Sequence, residues 1–315
     1  EFDYARWLRL HSFDAETFIY YRNWKKVSVD LSFLSSVDRT LIELKRAKQQ
    51  WLQTYARVGL DGQSAAVTVA MTLGDKQLIS KEVKDDYSIS GASHVLALSG
   101  LHLGIIYAIF LFGFNLCKGF PYLNLLVRYH LSDLFVLLLI WLYALLVDFS
   151  PSVVRSATMI TIYSVVGLLN RDKFSLNTLA LTAIILLVVR PQNLWDVGFQ
   201  MSFVAVLSIV LFVPLLYGLF SPKLLQRHWL LRWVWGLATV SVAAQLGTAP
   251  LVAFYFGRFS CYFLLSNFIV IPCATAILYA SVLLLVFFFM PQVQLLVGKV
   301  LLFIVGSLNA ALHWV

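Results

Sequence analysis

The chain has 315 residues, 60% of them hydrophobic and 13% charged, with a formal net charge of +8. Soluble domains carry about 25% charged residues, so this composition excludes a single water-soluble core and points to an integral membrane protein. Residues 1–90 hold 13 Lys+Arg against 12 Asp+Glu and residues 91–315 hold 11 against 4, so 7 of the net +8 lies in the apolar part.

A positive excess in membrane proteins commonly reflects orientation signals. It would also suit a polyanion such as nucleic acid. Cys117, Cys261 and Cys273 lie in or beside apolar segments and form no CxxC pair, which argues against a disulfide framework or a metal site. The residues call for no cofactor.

The chain opens Glu1-Phe-Asp-Tyr, without Met or a charged-then-apolar leader, and reads as a fragment of a longer protein. Residues 1–35 mix aromatics (Trp7, Phe18, Tyr20, Tyr21, Trp24) with charges and read as short strands, the tail of a small domain or a linker. Such interleaving can form a single-stranded nucleic-acid surface, although interfacial anchoring or a β-type core is its commoner cause. Residues 36–92 read as interfacial helices. Over 38–55, Leu41, Leu44, Lys48, Trp51, Leu52 and Tyr55 follow helical spacing beside Arg39, Lys45 and Arg46, a cationic amphipathic pattern. A small-residue helix follows over 62–73 with Gly74 as its stop, then a short polar helix over 77–89. None is long or apolar enough to span a bilayer.

From 93 to 315 the chain reads as a polytopic, all-α membrane bundle. Eight segments are predicted, at 93–116, 131–148, 152–169, 175–190, 194–217, 230–250, 261–289 and 292–312, some of them broken. Ser150-Pro151 reads as a cap followed by proline at the first helical position. The loops after the first, third and fifth segments carry Lys118, Arg128, Arg171, Lys173, Lys223, Arg227 and Arg232. Those after the second, fourth and sixth carry Arg155, Arg190 and Arg258. The richer set belongs in the cytoplasm, which puts the N-terminal region outside it.

The first segment holds the most unusual stretch, His94-Val-Leu-Ala-Leu-Ser-Gly-Leu-His-Leu-Gly104. A segment entering lipid normally sheds polar groups, because each unpaired one costs free energy there. On a continuous helix Ser99 and His102 share a face, and Gly100 and Gly104 form a GxxxG pair that admits a close neighbour. A packing face with satisfied polar groups competes here with a polar route. Asp148 precedes Ser150-Pro-Ser-Val-Val-Arg155, where an acid–base pair across the turn competes with a charge snorkelling to water. Asp196 and Gln200 are four residues apart and face the same way, although an Asp at a helix start is also a favourable dipole partner. Gln245, Thr248 and Pro250 form a kinked end to the sixth segment, and Ser266, Asn267 and Pro272 interrupt the seventh. One polar-lined pathway would account for all of them.

There is no GxxxxGK loop, no HExxH and no HxHxDH cluster, hence no sign of an ATP motor or a metal site. Two alternatives to a conduit stay open: a secondary transporter of a small polar solute with Asp196 and His102 as a proton relay, and an intramembrane hydrolase using Ser99.

Ordered motifs resemble one family. His94-Val-Leu-Ala-Leu-Ser-Gly-Leu-His-Leu-Gly104 is similar to the H-L-L-A-I-S-G-L-H-V-G of ComEC-type competence proteins. Ala70-Met-Thr-Leu-Gly-Asp75, Ser152-Val-Val-Arg-Ser-Ala-Thr-Met159, Pro191-Gln-Asn-Leu-Trp-Asp-Val-Gly-Phe-Gln-Met-Ser-Phe203 and Leu265-Ser-Asn-Phe-Ile-Val-Ile-Pro272 resemble further elements of the family in the same order. The resemblance implies a channel passing single-stranded DNA across the cell inner membrane during natural transformation. It implies an external OB-like domain, of which residues 1–35 would be the tail, and a DNA receptor outside. A separate cytoplasmic ATP-driven motor would be needed. The nuclease-like C-terminal domain of the family has no counterpart in this chain, so no enzyme activity is expected. Carried over by position, the functional set is His94, Ser99, Gly100, His102, Gly104, Arg155, Asp196, Gly198, Gln200, Asn267 and Pro272, to which the residue reading adds Asp148. His102, Arg155 and Gln200 would contact the strand.

Overall fold

The computed structural model describes residues 35–116, 131–168, 176–257 and 260–314, together with Thr17 and Tyr20. The strands expected within 1–35, Cys117, and the loop cations Lys118, Arg128, Arg171, Lys173 and Arg258 lie outside the described residues. Within the described residues the chain is all-α. Its helices are α1 Ser36–Arg57, α2 Gly62–Leu73, α3 Lys81–Ile89, α4 Ser93–Leu96, α5 Gly100–Leu116, α6 Leu131–Leu146, α7 Pro151–Leu168, α8 Leu176–Val189, α9 Val197–Tyr217, α10 Pro222–Arg227, α11 Trp229–Phe256, α12 Phe263–Val286 and α13 Pro291–Trp314. A 3-10 turn, Pro191–Trp195, leads into α9.

Four helices, α9, α11, α12 and α13, are long and apolar enough to cross a membrane, with 21, 28, 24 and 24 residues. Their outer faces are apolar as well: Leu215, Phe254, Leu296 and Phe303 are exposed. A helix apolar all round has nothing to gain from water, so these faces belong in lipid. The shorter apolar helices α5, α6 and α8, with α7, occupy the other predicted segments.

Two apolar cores hold the bundle. One lies among α5, α6 and the start of α7, around Leu103, Val136, Ile140 and Val153. The other joins the end of α1, α2, α3 and α4 to α12 and α13. Here α2 is central. Its small residues let residues 66–73 all be buried, and Gly74 ends it in the left-handed conformation (φ 75°) that a side chain disfavours. The short α3 starts at a cap, Ser80 Oγ accepting from Val83 N, and finishes against the distant end of the chain. Tyr87 OH donates to Asn309 Oδ1 at 2.9 Å, Asp86 lies 3.0 Å from His313 Nδ1, and Ser266 Oγ donates to Ser90 O at 2.7 Å.

The turn after α1 also meets α13 closely. A Cβ on Gly298 would sit 2.5 Å from Val58 Cβ and 3.0 Å from Val58 O. Gly298→Ala is therefore expected to destabilise by about 1–2 kcal/mol, and Val58→Gly in the same chain should recover part of it. Thermal unfolding of the detergent-purified variants checks this; an unchanged midpoint for Gly298→Ala would show that the turn yields freely.

Several boundaries differ from the sequence reading. The segment expected as one helix over 93–116 is two, α4 and α5, separated at residues 97–99 with Ala97 extended (φ −95°, ψ 134°). His94 and His102 therefore lie on different helices, α4 and α5. Conversely, the sixth segment does not end at Pro250, and the seventh is not interrupted at Asn267 or Pro272. Both helices run through their prolines. One lost backbone bond is tolerated in a helix packed among others. Ser150 Oγ makes no cap bond at the start of α7.

Candidate functional site

The break before α5 is closed by polar groups. Ser99 N donates to His102 Nδ1 at 3.3 Å, and Ser99 Oγ lies 2.9 Å from the same nitrogen. Ser99 precedes the first residue of α5 and His102 is its third residue. The ring thus plays the part that Glu or Gln plays in a capping box, accepting the orphan N–H of the cap residue. Because Nδ1 accepts that N–H, the imidazole proton is assigned to Nε2. His102 is buried, and Nε2 has no hydrogen-bond partner. The backbone acceptor in reach, at Val95, does not meet it at bonding geometry.

The first turns of α7 pack on this break. Ser152 Oγ donates to Leu98 O at 2.5 Å, satisfying a carbonyl that the interrupted helix leaves open. A Cβ on Gly100 would lie 3.1 Å from Ser156 Oγ, so glycine sets how closely α5 starts against α7. Gly104 has open space around its Cβ position, so the expected GxxxG face packs at one glycine only.

One residue before Ser156, Arg155 turns to α9. Its Nη1 lies 3.1 Å from Asp196 Oδ2, with the Arg side chain 10% exposed and the Asp side chain 31%. Asp196 also caps α9, Oδ1 accepting from Gly198 N at 3.1 Å. A Cβ on Gly198 would come within 3.0 Å of Arg155 Nη2. Arg155 Nε is buried with no partner. A guanidinium has five donors, and the carboxylate does not occupy all of them. Gln200 extends the line to α11: its Nε2 donates to Leu194 O at 2.9 Å, and Tyr255 OH donates to its Oε1 at 2.7 Å.

The expected pair between Asp148 and Arg155 is not formed. Asp148 (φ 57°) pairs instead with Lys48 of α1 at 3.2 Å, while Arg155 points away to Asp196. His94 is exposed, its Nδ1 3.1 Å from Gly91 O. Asn267 Nδ2 donates to Ser241 Oγ at 3.2 Å and its Oδ1 is buried without a partner. Pro272 lies within α12. Ser99, Gly100 and His102 thus gather on the start of α7, and Arg155, Asp196, Gly198 and Gln200 at the start of α9. Gly104, Asp148, Asn267 and Pro272 are not brought into that seam, while His94 stands near enough to His102 to act on it electrostatically.

Sequence reasoning missed Ser152, Ser156, Tyr255 and Lys48 as partners. The spacing Ser152, Arg155, Ser156 on one helix gave a signal for the first two, since all three lie on neighbouring faces. Nothing near Tyr255 marked it. No group of three or more His, Cys, Asp or Glu suited to a metal occurs among the described residues.

The comparisons with known proteins concern this same part of the chain. A family profile described as "Competence protein" matches residues 71–315. ComE operon protein 3 of Bacillus subtilis (strain 168) is 30% identical over 214 residues, covering 67% of this chain and 25% of that protein. Recombination protein 2 of Haemophilus influenzae is 24% identical over 287 residues, covering 89% of this chain and 35% of that protein. An uncharacterized protein of Aquifex aeolicus is 28% identical over 214 residues, covering 68% and 46%. The chain therefore spans less than half the length of each of these relatives. No solved structure matches.

Proposed function

The chain belongs to the competence protein family, and from that premise we propose that it forms the membrane part of a DNA-uptake route, passing one strand across the inner membrane. The observation that carries this reading is the seam of polar groups where α5, α7 and α9 begin. His102 Nε2 and Arg155 Nε are buried donors without partners, beside an interrupted helix. A stable apolar bundle gains nothing from such groups, which cost free energy in lipid unless something meets them. A strand offers acceptors to meet them, the phosphate oxygens and the carbonyl and ring-nitrogen positions of its base edges.

In this reading the N-terminal region lies outside, where a receptor delivers DNA, and a separate cytoplasmic motor draws the strand in. The chain supports transport without a catalytic step of its own. The excess of 11 Lys+Arg over 4 Asp+Glu in residues 91–315 favours a polyanion. The Ser99–His102 contact favours no hydrolase, since His102 Nδ1 is already engaged by a backbone N–H and cannot take the serine proton as a free base.

Uptake of labelled DNA in cells carrying His102→Ala tests the reading, with membrane insertion checked by immunoblot. Loss of a hydrogen bond to a charged group is worth about tenfold or more, so transformation should fall at least about tenfold. His102→Gln, which can still accept the Ser99 N–H, should insert fully. Normal uptake by an inserted His102→Ala protein would remove the assignment.

A further inference from the structure

Helices α9 and α11 are joined by a corner that contains the six-residue α10. Ser221 caps α10, its Oγ accepting from Leu224 N at 3.4 Å. Leu225 is buried and docks the short helix, while Lys223, Gln226 and Arg227 are exposed. The Phe220 ring packs edge-on against Trp235 of α11, with centroids 4.6 Å apart. These contacts hold the corner around a cavity of about 310 Å³. Three polar side chains line it, one from each element: Tyr217 at the end of α9, Gln226 of α10 and Arg232 of α11. Among the described residues none of the three side chains has a hydrogen-bond or ion-pair partner. A hydroxyl, an amide and a guanidinium around one cavity all offer donors, and the guanidinium adds a charge.

The surroundings identify the acceptor. Residues 197–315 contain no Asp or Glu, and Lys223 and Arg227 of the same corner make no ion pair among the described residues. The positive charge here is therefore uncompensated, and the fork of a guanidinium matches phosphate oxygens. With 21 residues α9 is about 31 Å long, so the corner stands a full bilayer thickness from Asp196, at the level of headgroups. Leu215, Leu219, Trp229 and Trp233 around it are exposed, the leucines suited to acyl chains and the indoles to the interface. Cations in such a loop also orient the chain, but orientation requires no cavity lined by unused donors. We infer that this cavity holds the phosphate of an anionic glycerophospholipid: Arg232 pairs with the phosphodiester, and Gln226 Nε2 and Tyr217 OH donate to its oxygens. Lys223 and Arg227 supply the field that favours a negative headgroup over a zwitterionic one. The bound lipid ties α9, α10 and α11 together at this end. The inference needs only that α9 and α11 cross a bilayer; it does not depend on what passes the seam, and failure of either reading leaves the other standing.

Native mass spectrometry of the full chain in dodecyl maltoside tests it, with 1-palmitoyl-2-oleoyl-phosphatidylglycerol or the phosphatidylcholine of the same chains added. The wild-type chain should retain phosphatidylglycerol in preference, and should hold one molecule more of it than Arg232→Gln does. A charge-assisted hydrogen bond is worth about tenfold or more, so retention by Arg232→Gln should fall by at least about tenfold. Tyr217→Phe removes a single hydroxyl and should weaken retention by about threefold. Equal retention of the two lipids by the wild-type chain, or retention unchanged in both variants, overturns the inference. So does displacement of the lipid by an oligothymidylate, which would give the cavity to a strand, or by inorganic phosphate, which would give it to a free anion.

Discussion

Replacing Asp196 by Ala is expected to destabilise the folded chain by about 3 kcal/mol, and replacing both Asp196 and Arg155 is expected to cost far less. The reasoning rests on what each change leaves behind. The Arg155 side chain is 10% exposed and its only ion-pair partner among the described residues is Asp196, 3.1 Å away. Removing the carboxylate strands a guanidinium in a region with little water, which costs about 3–5 kcal/mol when fully buried and somewhat less here because Asp196 is 31% exposed. Asp196→Ala also removes the cap on Gly198 N, a further loss of about 1 kcal/mol or less. Asp196→Asn keeps that cap while removing the charge, so it should fall between. The double change Arg155→Met with Asp196→Asn leaves no unpaired charge and should return to within about 1 kcal/mol of the original stability, as buried pairs replaced together commonly do. Fluorescence-detected gel filtration after graded heating measures all three. The same double variant separates structure from transport: a well-folded chain that still fails in DNA uptake assigns Arg155 to the strand, and a well-folded chain with normal uptake makes the pair purely structural.

The second large effect is expected at Gly247. Helices α9 and α11 make the most extensive helix–helix contact in the described structure, and they meet through small residues. A Cβ on Gly247 would overlap Ser208 Oγ outright and lie 2.7 Å from Ser208 Cβ and 3.2 Å from Val204 Cγ1. In lipid such packing holds helices together because there is no hydrophobic drive to do so. Gly247→Ala should therefore push the two helices apart, at about 2–3 kcal/mol. Ser208→Gly in that background moves the small residue to the facing helix and should restore most of the loss. Alone it should cost about 1 kcal/mol or less. Thermal unfolding followed by tryptophan fluorescence checks the series. Identical midpoints for Gly247→Ala and the original chain would mean that the two backbones are not in close contact there.

The apolar runs made the existence of the helices legible in the sequence, because hydropathy is a local property and membrane helices depend on it alone. The breaks were not legible. Nothing within residues 97–99 forbids a helix, and the interruption is maintained by one distant bond, Ser152 Oγ to Leu98 O, together with the local contact of Ser99 with His102. Pro250 and Pro272 gave the opposite error: each is a strong local breaker, but packing carries the helix through. Ion pairs failed for the same reason. Asp148 and Arg155 are neighbours in sequence, yet the structure pairs them with Lys48, 100 residues earlier, and Asp196, 41 residues later. Of the candidate site, Ser99, His102, Arg155 and Asp196 were found as residue types out of place in lipid. The Ser99–His102 contact was legible in their spacing, whereas the Arg155–Asp196 contact is a tertiary fact with no local signature.

The anchoring of α3 has a consequence for how the protein is made. Its partners lie 222 residues on at Asn309 and 227 on at His313, and Ser266, which holds Ser90, lies 176 residues on. A ribosome releases roughly 5–20 residues each second, so α2 and α3 emerge on the order of ten seconds or more before the helices that cover them. During synthesis the face of α2 that meets α12 and α13 has no native cover, because those helices do not yet exist. The intervening helices enter the bilayer around an unfinished first core, and the last two act as its keystone. Loss of the C-terminal helix alone would then expose residues near the other end of the chain, giving quality-control proteases a target far from the lesion.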